Sequence, residues 1–369
     1  MDFFDRLVGA PISWGVCEVP GWGKILPASR VLPEMREVGL TVTELGAPGF
    51  LPDSKEAVKG VLDAEGMTLM GGFVPLVLQD PDQWDVAVEH AKAAAELFAY
   101  CGGDRFVTAA VQDYGWSRPA PLDREQMRTF SRGLRLIDAV CADYGIVQVL
   151  HPHVDTLVET KADVTLALEE TDVQWCLATG NLAIGGTDPL QFARDNAARV
   201  GIVHLKDVNL ALAEMAMSRE LSLLQAVQAG MFVPFGEGDV PIADIGRELE
   251  DQGYQGRYVL EQDTAAFAGE TPRALERLPS VTGAAHEDRP GRQAPNLSLE
   301  HLDRVGFHVN ETAPGLLMRM KPLHVAGIAI PAPVCTPHVT VQRVVADTAL
   351  VQHRLAGDLA TQGGRTARR

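Results

Sequence analysis

Eight short β-rich runs, each followed by a longer amphipathic helical pattern, fill residues 1 to about 270 and constrain the fold of this chain more than any other feature. The runs are "LVGAPISW" (7–14), "TVTELG" (41–46), "LMGGFVPLV" (69–77), "RFVTAAV" (105–111), "VQVLHPH" (147–153), "VQWCLATG" (173–180), "VGIVHLKDV" (200–208) and "RYVLEQD" (257–263). Among the helical stretches, "DQWDVAVEHAKAAAELFAYC" places Trp84, Val86, Ala87, Ala91, Ala94 and Leu97 near the i, i+3, i+4 spacing of one buried face. "REQMRTFSRGLRLIDAVCADYG" and "IADIGRELEDQGYQG" repeat the pattern, the second ending at Gly253. Repeated βα units imply a parallel sheet, and eight of them in this length imply a closed (β/α)8 barrel. An open doubly wound sheet is the alternative, but no GxGxxG follows the first run.

Composition narrows the function classes. The chain of 369 residues is 46% hydrophobic and 22% charged, the mixture of a soluble protein with a large core. Its net charge of −17 argues against nucleic-acid binding, which depends on basic residues neutralising phosphates. Five scattered cysteines (Cys17, Cys101, Cys141, Cys176, Cys335) form no CxxC spacing, so they read as reduced and mostly buried. No secretory signal pattern and no stretch of about 18 apolar residues is visible, which leads us to expect a cytoplasmic protein without a membrane span. The character changes beyond about residue 275. Residues 281–369 carry a local charge of +3, leaving −20 on residues 1–280, and hold six of the ten histidines and seven prolines. We therefore divide the chain into a barrel domain, 1–275, and a linker with a C-terminal extension, 276–369. The bias of that extension fits either an appended module or a frame-shifted reading.

Barrel enzymes of this architecture place their chemistry at the C-terminal ends of the strands. Polar residues appear there abruptly: Glu44 after the second strand, His151 and His153 after the fifth, His204, Lys206 and Asp207 at the seventh, Glu261, Gln262 and Asp263 at the eighth. Converging imidazoles and carboxylates suit a divalent cation. Each residue taken singly is equally a hydrogen-bonded rim or core group. Trp14 and Trp22 in "SWGVCEVPGWG" suit either stacking on a sugar ring or packing. "GEGDV" (236–240) lacks the P-loop pattern and reads as a loop over the barrel mouth. No GxSxG or HExxH supports hydrolase chemistry.

The segments "APISWGVCEVPGWG", "TELGAPGFLP", "HPHVDTLVET", "ATGNLAIGGTDP", "HLKDV", "FVPFGEGDV" and "YVLEQD" together resemble the inosose dehydratase branch of the sugar phosphate isomerase/epimerase proteins, over about residues 5–268. The resemblance implies a xylose isomerase-like TIM barrel and a divalent metal, Mn²⁺ or Co²⁺, held at the ends of strands 5 to 8. It implies a cyclic polyol or keto-sugar as partner, with proton transfers next to the carbonyl, and a homo-oligomer. His204, Glu261 and His151 carry over as metal ligands, Glu261, His151 and His153 as catalytic groups, and Trp14, Glu44 and Lys206 as substrate-pocket residues. The sixth strand departs from the pattern. Where the family usually reads "DTGH", this chain has Ala178 for the Asp and Asn181 for the His. Asp155 stands where the family has glycine. A barrel that binds a sugar or a partner protein without turnover is therefore the alternative to a lyase or isomerase.

Overall fold

The structure, a computed structural model, describes residues 4–17, 19, 22 and 26–265; the extension assigned to 276–369 lies outside them. Eight parallel strands close into a barrel: β1 (Leu7–Gly9), β2 (Val42–Glu44), β3 (Thr68–Leu76), β4 (Arg105–Ala110), β5 (Val147–Leu150), β6 (Gln174–Ala178), β7 (Val200–Leu205) and, last in the ring, β10 (Tyr258–Leu260). Between β7 and β10, two-residue strands β8 (Asp207–Val208) and β9 (Phe232–Val233) pair antiparallel outside the barrel. The helices α1 (Ala28–Glu37), α2 (Lys55–Ala64), α3 (Trp84–Tyr100), α4 (Arg124–Asp143) and α5 (Lys161–Glu170) each follow a strand. Two helices, α6 (Thr179–Ile184) and α7 (Pro189–Asn196), follow β6; α8 (Leu210–Met217), α9 (Leu223–Gln228) and α10 (Ile242–Asp251) lie between β8 and β10.

Strand alternation separates two cores. Val8, Val42, Met70, Val107, Val149, Cys176, Ala178, Ile202 and Val259 point inward and fill the barrel, while neighbours such as Trp175, Leu177 and Tyr258 point outward against the helices. Ring closure is reinforced on the outside, where Nη2 of the buried Arg6 donates to both carboxylate oxygens of Glu250 of α10 (2.6 and 2.7 Å) and Nη1 donates to the Tyr254 carbonyl. Helix starts follow local chemistry: Asp123/Gln126, Thr160/Asp163 and Ser222/Gln225 form reciprocal capping boxes at α4, α5 and α9.

Two sequence expectations are corrected in detail. The buried stripe of α3 is Ala87, Ala91, Ala95 and Phe98: Ala87 and Ala91 lie on it as expected, Ala94 and Leu97 are partly buried on its flank, and Val86, one position from Ala87, is turned out and 43% exposed. The run 200–208 also breaks at Lys206: the backbone leaves the barrel there to form β8.

Gly71 marks a fold requirement. The β2–β3 register shifts between Thr43 and Glu44, and Gly71 sits at φ +148° with its absent Cβ only 1.8 Å from the Arg105 carbonyl oxygen. Gly71→Ala is expected to lower stability by about 3 kcal/mol or more, since backbone must move on both strands. Urea unfolding checks this; a loss below about 1 kcal/mol would refute it.

Candidate active site

The barrel's C-terminal mouth gathers the predicted polar residues into one buried network. His204, on inward-facing β7, stands between two acids: Nδ1 is 3.0 Å from Glu261 Oε2, and Nε2 is 3.3 Å from Glu44 Oε1. Lys206 Nζ lies 2.9 Å from Glu261 Oε1, 2.8 Å from Asp263 Oδ1 and 4.8 Å from the centre of the Phe232 ring. All five charged side chains are buried.

Local structure explains how they arrive there. Glu44 ends β2, Lys206 follows β7 and Glu261 follows β10, so each side chain emerges just above the apolar barrel filling. Thr179, the first residue of α6, receives the Lys206 amide on its hydroxyl and donates to the Lys206 carbonyl, both at 2.8 Å, fixing the backbone that carries the lysine.

The electrostatics divide the groups into charged and neutral sets. Burial opposes ionisation of Glu261, but Lys206 and His204 outweigh it and hold the carboxyl well below its usual range. Burial also opposes a charged His204, yet Cys176, Glu44 and Glu261 raise it well above an ordinary imidazole. Asp263 is pushed up to about 6 by burial, with Glu261 adding to the effect and Lys206 opposing it. His151 is driven well below the ordinary range by burial and by His204, and His153 falls to about 4 through burial and Lys206, so both are neutral imidazoles at neutral pH. Because His153 Nδ1 lies 2.7 Å from the Val154 carbonyl, which only accepts, Nδ1 carries the proton and Nε2 the lone pair.

His151 is packed edge-on to His204 at 4.9 Å between ring centres, and His153 lies 5.4 Å from His151. The remaining expected residues make their recorded contacts outside this network. Trp14 is buried and donates its indole N–H to Glu34 of α1 (2.9 Å), and Trp22 is buried with its indole on the Thr264 carbonyl. Asn181 is buried on α6. Asp155 adopts a left-handed φ of 60° and pairs with Arg219 (2.8 Å), tying the loop after β5 to the segment after α8. "GEGDV" does form a cradle, but for an internal anion: the Gly236, Gly238 and Val240 amides all donate to the Asp207 carboxylate.

Two aromatic residues escaped sequence reading. Phe73 of β3 packs edge-on to His151 (5.8 Å) and His153 (5.6 Å), and Trp116 stacks on it with ring centres 6.2 Å apart and planes nearly parallel. Trp116 is 40% exposed at a left-handed φ of 57°. Phe73 lies in an alternating strand whose inward phase the glycines at 71 and 72 obscure, and Trp116 lies in a loop without periodicity.

The site also bears on metal binding. His151 Nδ1 is buried without a hydrogen bond, and His204 Nε2 and Glu44 Oε1 are buried with only their mutual 3.3 Å ion contact, an arrangement that suits a cation, while Ala178 contributes no ligand atom at β6.

Comparisons agree with this geometry. Residues 32–280 match the model of the xylose isomerase-like TIM barrel family. An inosose dehydratase from Geobacillus kaustophilus is 29% identical over 273 residues, covering 70% of this chain and 87% of that protein. The rhizopine catabolism protein MocC of Rhizobium meliloti is 30% identical over 266 residues, covering 69% and 80%. Among solved structures, the IolI protein with a bound zinc atom superposes with a TM-score of 0.52 at 14% identity, over 73% of this chain and 94% of that one. The family match spans seven of the eight barrel strands and the mouth residues from Glu44 to Asp263, and the chain belongs to the xylose isomerase-like TIM-barrel family of enzymes.

Proposed function

We propose that this chain is a lyase or isomerase acting on an inosose or a related cyclic keto-sugar by proton abstraction next to the carbonyl. The observation that carries the reading is the buried Glu261–Lys206–His204–Glu44 network at the barrel mouth, in a chain 29% identical to an inosose dehydratase. Glu261, ionised and fixed on two sides, is the base that takes the α-proton. Lys206, held cationic, stabilises the negative charge that develops on the sugar oxygen. Neutral His153, with its Nε2 lone pair, and His151 relay protons between the two carbons, and Phe73 and Trp116 present an apolar wall to the ring's C–H face. His204, His151 and Glu261 would hold a divalent cation, which when bound supplies Lewis-acid polarisation of adjacent sugar oxygens. Trp14 and Glu44 complete the substrate wall. The reading takes residues 1–275 as the catalytic domain of a cytoplasmic homo-oligomer with no nucleic-acid role. No described helix is long and apolar enough to cross a membrane.

A second reading, sugar or partner binding without turnover, is favoured by Ala178 and Asn181. One experiment separates them: incubate the purified chain with an inosose and divalent metal in D₂O, following elimination by absorbance and α-deuterium incorporation by NMR. Exchange with elimination is expected. Exchange alone indicates isomerisation or epimerisation. Saturable binding without exchange, together with a gain in metal affinity but not turnover in A178D/N181H, establishes the binding reading and overturns the enzymatic one.

A further inference from the structure

Cys176 is a donor that the family comparison leaves out. It lies on β6 two residues before Ala178 and shares its inward face, so the two side chains occupy successive levels of the barrel interior. The register sets them beside different histidines. Leu150 pairs with Trp175, so His151 and Cys176 continue side by side, whereas Ala178 pairs directly with His204. One donor atom from each of His151, Cys176 and His204 lies within 4.8 Å of the other two, and all three residues are buried. A separate observation points to a ligand: His151 Nδ1 is buried without a hydrogen bond in a residue only 2% exposed, and the buried His204 Nε2 has only the 3.3 Å ion contact with Glu44 Oε1. Such groups carry an uncompensated desolvation cost that a cation would relieve.

We propose that the Cys176 thiolate replaces the carboxylate missing at position 178, so that a borderline-soft divalent ion, Zn²⁺ or Co²⁺, binds His151, Cys176 and His204 in preference to Mn²⁺ or Mg²⁺. The proposal rests on reading the barrel mouth as a metal-assisted pocket. Thiolate and imidazole ligands favour zinc and cobalt, whereas manganese and magnesium prefer oxygen donors. Three protein ligands leave the fourth tetrahedral position open, the arrangement of catalytic zinc. In this ligand set Cys176 takes the place given above to Glu261, whose carboxylate on His204 Nδ1 instead orients the ligand ring from outside, a common support for metal-bound histidines. Bonds of about 2.1 Å to nitrogen and 2.3 Å to sulfur place donors roughly 3.6 Å apart, so binding draws the three groups inward by about 1 Å. As the sulfur lone pair bonds the ion, the S–H bond breaks, and as a His204 nitrogen bonds it the imidazolium N–H breaks too; both protons pass to buffer and no redox change occurs.

The test is Co²⁺ titration of the chelator-treated full chain, followed by absorbance. We expect one equivalent bound, a thiolate-to-cobalt band in the near ultraviolet and tetrahedral bands in the visible. X-ray absorption of the zinc form should show one sulfur at about 2.3 Å. Cys176→Ser should abolish the near-ultraviolet band and weaken affinity by at least ~100-fold, more than the loss of an outer-shell partner. Cys176→Ala serves as the second variant, and the wild-type X-ray measurement decides if neither folds. Cobalt bound without the thiolate band, and zinc without sulfur, overturns the proposal while the metal reading stands. A band that survives in Cys176→Ser overturns it too. No binding at millimolar cobalt overturns both.

Discussion

Replacing Lys206 with methionine is expected to destabilise the barrel by about 3–5 kcal/mol, the cost of removing one partner from a buried ion pair. Methionine nearly matches lysine in volume, so cavity formation adds little. The loss is electrostatic: Lys206 is 1% exposed, and its Nζ is the cation between Glu261 and Asp263 at 2.9 and 2.8 Å. Without it, two buried acids carried by the same strand end face each other. One must take up a proton, or the segment after β10 must open to water. Thermal unfolding should show a melting temperature lower by on the order of 10 °C. Lys206→Arg should recover only part of this, because the planar guanidinium cannot place one compact charge between two carboxylates above the Phe232 ring. A drop below about 1 kcal/mol for Lys206→Met would show that water, rather than the lysine, neutralises the two acids.

That network shows how far the sequence could be read and where it stopped. All eight barrel strands were visible because period-two and continuous apolar runs, punctuated by helical stripes, are local signals. The β-rich runs at 147–153 and 200–208 extend past the strands, which end at Leu150 and Leu205, because residues that leave the barrel to form the site, such as Pro152 and Val208, remain apolar. Glu44, His151, His204, Lys206 and Glu261 were legible as strand-end polar groups, and the structure brings them together. Their pairing was not legible, since it depends on register and barrel stagger between strands far apart in sequence. Asp207 illustrates the limit. As a residue type it was a site candidate, yet its carboxylate is engaged by the amides of residues 236–240, which only the folded loop reveals. Cys176 illustrates the converse: a buried cysteine on an apolar strand carries no signal until the two histidines beside it are placed.

Glu261→Gln is expected to lower turnover of an inosose by about 10³-fold, within the range for loss of a general base. The amide keeps the shape and one acceptor oxygen but cannot accept the α-proton. Lys206 retains Asp263 as a partner, so the unfolding midpoint should shift much less than in Lys206→Met. The diagnostic quantity is the partition between chemistry and binding. If Glu261 is the base, kcat for elimination and deuterium exchange at the α-carbon should fall together, with KM changed by less than about tenfold. If Glu261 chiefly orients His204 through the 3.0 Å contact to Nδ1, exchange should persist and metal affinity should fall by about 10–100-fold. Full exchange with unchanged metal affinity would remove Glu261 from both roles and move the base to the neutral His153, whose Nε2 carries the remaining lone pair beside Phe73.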